Sequence, residues 1–112
     1  MHELALTCSI VETAEEAASG SRVLRVTLVV GRLSGVMTEA IRFCFDEVAR
    51  GTLLDGAALD IVEPEGRARC EECGAEFATP DLLTFCACGS YRLTRLAGEE
   101  MTIRSIEIEE AS

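Results

Sequence analysis

The feature that most constrains this chain is a run of four cysteines. Cys70-Glu71-Glu72-Cys73 is followed, after twelve residues, by Cys86-Ala87-Cys88. Two close cysteine pairs at such a separation form a metal-site pattern: each tight loop offers two thiolates, and two loops meeting edge to edge supply a tetrahedron. Residues 66–98 hold these four cysteines, four glycines and few large aliphatic side chains. A segment of that size and composition cannot bury enough apolar surface to fold alone, so a structural Zn(II) held by Cys70, Cys73, Cys86 and Cys88 is expected. Four protein ligands make a closed site with no open position for catalysis. Gly74 and Gly89 each directly follow a cysteine pair and let the backbone turn back over the sulfurs. The second pair is C-x-C, a shorter chelate loop with an altered bite and fewer amides aimed at sulfur. A redox role for Cys70-x-x-Cys73 fits less well, because a second cysteine pair follows it and redox pairs open helices.

The metal reading depends on reducing surroundings. No apolar run reaches the length of a membrane-spanning helix, and Met1-His2-Glu3 lacks the basic start of a signal peptide. The expectation is a cytoplasmic protein whose cysteines are reduced or metal-bound. Composition narrows the function further. The 112 residues include no lysine, so the chain carries no P-loop lysine and is not itself a P-loop GTPase or ATPase. A formal charge of −10, from 20 acidic and 10 basic side chains, argues against nucleic acid as a partner. Paired carboxylates such as Glu71-Glu72 and Glu99-Glu100 lie in polar stretches that read as solvated surface, so no enzyme activity is expected.

Periodicity predicts the remaining elements. Residues 4–19 read as an amphipathic helix with Leu4, Cys8, Val11 and Ala18 in one stripe and Leu6, Ile10, Ala14 and Ala17 beside it, stopped at Gly20. Residues 22–30 read as a strand with Leu24, Val26, Leu28 and Val30 inward. Gly31 to Gly35 form a turn. A second helix over 37–50 buries Ile41, Cys44, Phe45 and Val48 and closes at Gly51. A second strand spans 57–63. A third spans 101–109, where the apolar phase slips at Arg104-Ser105 and predicts a bulge. Cys8 and Cys44, on apolar stripes, read as small core residues. The fold class is therefore α+β: two helices packed on a three-stranded sheet, with an inserted four-cysteine zinc-ribbon-like module. The expected division is residues 1–65 plus 99–112 for the α+β domain and 66–98 for the module.

At a free N-terminus, Met1-His2-Glu3 is a chelator. The terminal amine, the His2 amide nitrogen and its ring nitrogen close fused rings around one cation, and a carboxylate or the next amide can complete the set. Nitrogen-rich tetragonal coordination suits Ni²⁺ or Cu²⁺.

The tripeptide does not stand alone. Met1-His2-Glu3-Leu4, Val30-Gly31-Arg32-Leu33-Ser34-Gly35-Val36, Phe43-Cys44-Phe45, Gly51-Thr52, Gly56-Ala57, Cys70-x-x-Cys73 and Cys88-Gly89-Ser90 follow one another along the chain. In that order they resemble the HypA/HybF family of hydrogenase nickel incorporation proteins. The resemblance implies a nickel metallochaperone that serves [NiFe]-hydrogenase maturation and in some organisms urease. It implies Met1, His2 and Glu3 as the nickel-binding residues, with Ni(II) as transient cargo, and the four cysteines as the zinc site. It also implies two partners, the GTPase accessory protein HypB and the hydrogenase large subunit, with GTP hydrolysis supplied by HypB. The family usually shows C-P-x-C where this chain has Cys86-Ala87-Cys88. Without the nickel role, the same residues read as a zinc-ribbon protein–protein interaction module.

Overall fold

In a computed structural model, residues 3–110 are described. Helix α1 (Glu3–Ala18) buries Thr7, Ile10, Val11, Ala14 and Ala18, a face repeating at three- and four-residue steps. Thr7 can lie in the core because its hydroxyl donates to the Glu3 carbonyl one turn back, at 2.7 Å. Leu4 and Ala17, predicted inward, are exposed. The buried face is narrower than the apolar pattern, and both residues fall off its edge. Ser19 and Gly20 end the helix with positive φ.

Strand β1 (Val23–Val30) is the centre of a three-stranded sheet, flanked by β2 (Ala58–Val62) and β6 (Met101–Ile108). It pairs in parallel with β2 and antiparallel with β6. A parallel pair needs a crossover, and helix α2 (Thr38–Ala49) supplies it. The two helices run side by side in one direction. Glu3, at the start of α1, meets Met37 just before α2, and Glu15 near its end meets Leu53 just after α2. Their buried residues join Val23, Val26, Leu28 and Val30 in one core, with Leu59, Ile61, Ile103 and Ile106 packed against it. Phe45, Ile41 and Leu28 are its largest sealed side chains.

Two irregularities decide which side chains face that core. The β1–β6 register slips between Thr27 and Leu28, where Ser105 and Ile103 are the partners and Arg104 is the extra residue. This is the predicted bulge, and it lets Ile103 and Ile106 share one face despite their odd spacing. A second slip falls between Val23 and Arg25. It corrects the reading of Leu24, which is the unpaired residue there and is exposed, while Val23 takes the buried place. On the outer face of the sheet, Arg25 bridges Asp60 at 2.6 Å and Glu107 at 3.4 Å, tying all three strands together.

Residues 66–98 contain a second three-stranded sheet, β3 (Arg67–Cys70), β4 (Glu76–Ala78) and β5 (Leu93–Ala97), in the order β4-β3-β5 and wholly antiparallel. β3 and β4, of four and three residues, are too short to show a period, and β5, Leu-Thr-Arg-Leu-Ala, alternates in neither phase, so the sequence reading assigns no strand there.

The two sheets meet at a neck made of backbone. Leu33 N–H donates to the Gly98 carbonyl at 2.7 Å, Gly31 N–H to Glu100 at 2.8 Å and Arg32 N–H to Pro64 at 3.0 Å. Such packing needs the absence of side chains. A Cβ on Gly31 would overlap the Gly98 carbonyl, and one on Gly66 would overlap the Thr79 carbonyl and Leu33. Gly31→Ala is therefore expected to destabilise the chain by about 1–3 kcal/mol. The check is the urea unfolding midpoint, and an unchanged midpoint would show that the neck yields freely.

Candidate metal centre

The metal centre is built from two loops at one end of the second sheet. Cys70 is the last residue of β3, and the chain turns so that Gly74 N–H donates to the Cys70 carbonyl at 2.9 Å. The second loop repeats this: Gly89 N–H donates to the Cys86 carbonyl at 2.8 Å, and Cys86 N–H to Ser90 at 3.1 Å. Gly74 and Gly89 hold φ of 78° and 93°, the conformations expected of residues that fold the chain back over sulfur.

These turns bring all four predicted ligands together. The Sγ atoms of Cys70, Cys73, Cys86 and Cys88 lie within 4.8 Å of one another. Across the loops, Cys70 and Cys88 are 3.7 Å apart and Cys73 and Cys86 are 3.5 Å apart. A tetrahedron with metal–sulfur bonds of about 2.3 Å has edges of about 3.8 Å, so the cluster fits one Zn²⁺-sized ion. The shortened C-x-C loop therefore does not spoil the arrangement. Cys70 and Cys86 are buried and Cys73 and Cys88 exposed, so one face of the cluster looks to solvent.

Proton affinities within the cluster are pulled apart. The Cys73 amide, 3.5 Å from the Cys70 sulfur, favours its thiolate and lowers Cys70 to about 6. The Cys88 amide acts likewise on Cys86, but burial and the neighbouring Cys73 sulfur outweigh it and push Cys86 up to about 12. Cys88 is also raised, the Ser90 amide and Cys86 being outweighed by the Cys70 sulfur, burial and Cys73. Four thiolates cannot crowd together without a cation between them.

The structure does not bring Glu3 to the cysteines. Among the described residues, the one group of His, Cys, Asp and Glu side chains with metal-holding geometry is the four-cysteine cluster. Glu3 opens α1, and its carboxylate accepts the Met37 N–H at 3.2 Å. Sequence reasoning missed that contact. Its signal was the lack of a capping side chain at position 37, which leaves the start of α2 to be met from the other helix. Met1 and His2 lie outside the described residues. Cys8 and Cys44, expected in the core, are half-buried. At the neck, Arg32, Glu65, Gly66, Ala78, Thr79 and Pro80 line a cavity of about 250 Å³ without a nucleophile–base pair. No helix of the described residues is long and apolar enough to cross a membrane.

Three comparisons bear on this geometry. A family model described as hydrogenase/urease nickel incorporation, metallochaperone, HypA matches residues 1–108. The hydrogenase maturation factor HypA of Trichormus variabilis is 48% identical over 110 residues, covering 98% of this chain and 97% of its own. That of Chlorobaculum tepidum is 47% identical over 113 residues, covering 97% of this chain and all of its own. The solution structure of the Ni metallochaperone HypA from Helicobacter pylori superposes with a TM-score of 0.68 at 25% identity, covering 96% of this chain and 97% of that one. A second HypA solution structure gives 0.72 at 26% identity, covering 97% of each chain.

Metal uptake must displace the protons that Cys86 and Cys88 retain at neutral pH, and below about 6 that of Cys70 as well. Zinc affinity is therefore expected to fall as pH falls, more steeply once Cys70 is protonated. Competition with a chromophoric chelator from mild alkali to mild acid checks this, and a pH-independent affinity would contradict it.

Proposed function

Because the chain belongs to the HypA family of nickel-incorporation metallochaperones for hydrogenase maturation, a family of maturation factors rather than enzymes, we propose that it binds Ni(II) at its N-terminus and gives it up during [NiFe]-hydrogenase assembly. The proposed ligands are the Met1 amine, the His2 amide and ring nitrogens, and Glu3. The observation that carries this reading is the family match from residue 1, which includes the Met1-His2-Glu3 start. Glu3 supports it from the structure. As the first residue of α1 it lies where backbone amides lack helical partners and can give up protons to a cation.

Holding and releasing a cargo calls for few, exchangeable ligands. A nitrogen-rich tripeptide meets that need, whereas four thiolates around one ion do not. We therefore assign the second metal, Zn(II), to Cys70, Cys73, Cys86 and Cys88 as a structural ion. When bound it supplies a cross-link between the two loops, and the cysteines contribute only charge and position. The absence of lysine leaves nucleotide hydrolysis to a partner, which we assign to the GTPase HypB, with the hydrogenase large subunit as the acceptor. The proposed setting is the cytoplasm.

Two experiments test this reading. Titration of Ni²⁺ into the untagged protein is expected to show stoichiometric binding. His2→Ala, or one extra residue before Met1, abolishes it and leaves zinc content and fold intact. Unchanged nickel binding in either variant would favour a zinc-ribbon interaction module instead. The second concerns the proposed division into residues 66–98 and residues 1–65 plus 99–112. Cys73→Ser is expected to release zinc and unfold β3 to β5 while α1, α2 and the first sheet persist, since a structural zinc contributes about 10–16 kcal/mol to such modules. Amide exchange resolves the two parts, and loss of protection throughout would refute separability.

A further inference from the structure

We propose that the four-cysteine cluster is also a peroxide-reactive site, in which oxidation joins Cys73 to Cys86 and Cys70 to Cys88 across the two loops, releases the ion and leaves the second sheet folded without it. The proposal rests on the assignment of Zn(II) to these four sulfurs. The cluster is open on one side: Cys73 and Cys88 are exposed, while Cys70 and Cys86 are only 1% and 3% exposed. A dication holds its sulfurs as thiolates, the form that attacks an oxidant. An exposed thiolate beside a second sulfur is the arrangement that redox-sensing cysteines share.

Geometry selects the pairing among the three that four cysteines allow. Pairing within each loop needs a bridge from Cys86 to Cys88 over the single residue Ala87, inside a turn that Gly89 N–H closes on the Cys86 carbonyl at 2.8 Å. So small a ring is strained. In the first loop, the Cys70 sulfur faces the Cys73 amide at 3.5 Å. Pairing Cys73 with Cys88 uses both exposed sulfurs in one bridge and leaves two buried ones that an oxidant does not reach. The remaining pairing joins sulfurs already in contact across the loops, Cys73 with Cys86 at 3.5 Å and Cys70 with Cys88 at 3.7 Å. Each of its bridges has one exposed sulfur to meet the oxidant and one buried sulfur to close the bond. Closure to a disulfide length of about 2.05 Å asks each pair to approach by roughly 1.5 Å.

Each bridge takes one hydrogen peroxide. The exposed thiolate attacks an oxygen; an S–O bond forms, the O–O bond breaks and hydroxide leaves, giving a sulfenic acid. The buried thiolate of the facing loop then attacks that sulfur. An S–S bond forms, the S–O bond breaks and a second hydroxide leaves. The two sulfurs lose two electrons and the peroxide gains them. The thiolate is the metal ligand, so sulfurs tied in disulfides release Zn²⁺. The two bridges then tie the same two loops that the ion tied, whereas a bridge inside one loop ties nothing across.

Titration of hydrogen peroxide into the zinc-loaded full chain tests this, with Cys8→Ala and Cys44→Ala removing the two other free thiols. A chromophoric chelator reads the zinc, and peptide mapping with backbone cleavage at Ala87 tells Cys86 from Cys88. Two peroxides per chain are expected to release one zinc and to yield the Cys73–Cys86 and Cys70–Cys88 bridges. A sulfenic-acid trap is expected to mark Cys73 and Cys88 and to spare Cys70 and Cys86. Amide exchange stays slow in β3 to β5 of the oxidised, metal-free chain and becomes fast in the reduced, metal-free one. Zinc retained in a large excess of peroxide overturns the proposal. So does a Cys70–Cys73 bridge, trapping at Cys70 or Cys86, or zinc release that leaves β3 to β5 unprotected. A chain that holds no zinc before peroxide is added overturns the zinc assignment itself, and the proposal with it.

Discussion

The crowding of four sulfurs into one tetrahedron is the constraint on which the rest of residues 66–98 depends. Their strands are three to five residues long, and most of their large apolar side chains, Leu82, Leu83, Phe85, Tyr91 and Leu96, are exposed. Nothing else in that segment supplies the free energy that a hydrophobic core would. The sulfurs cannot all ionise in each other's company, so a dication is the natural partner of the cluster, and a cross-link between the two loops is its mechanical result. The same two loops lie beside the β3–β5 pairing and the contact between the Phe85 and Tyr91 rings.

The other end of the molecule follows a different logic. Its core is a parallel β1–β2 pair closed by α2, with α1 beside α2 and β6 completing the sheet. The helices' common direction sets the start of α1 against the start of α2, where Glu3 meets the Met37 amide. Three glycines let the two ends approach backbone to backbone, so the neck is defined by hydrogen bonds and steric fit rather than by side-chain burial.

Much of this was legible in the residues. The helices and the three strands of the first sheet follow their apolar periods, and the phase slip at Arg104 announced its bulge. The bulge at Leu24 left no such mark, because Val23 and Leu24 are equally apolar and only pairing with β6 decides which faces inward. The exposure of Leu4 was hidden for a similar reason: a stripe counted on one helix does not show how wide the facing surface is. The cysteine cluster was readable because ligand spacing is local. The β4-β3-β5 sheet was not, since metal loops rather than side-chain alternation hold its strands in place. The neck was also out of reach, because close approach of Gly31, Gly66 and Gly98 joins residues far apart in sequence.

We propose a division of labour, in which sulfur holds the structural ion and nitrogen at the chain's start carries the cargo. Nickel K-edge absorption on protein loaded with one zinc and one nickel tests it most directly. The account predicts a nickel shell of nitrogen and oxygen donors, with the outer-shell signature of one imidazole and no sulfur. Sulfur scattering at nickel would contradict it, because the cargo would then occupy the cysteine cluster.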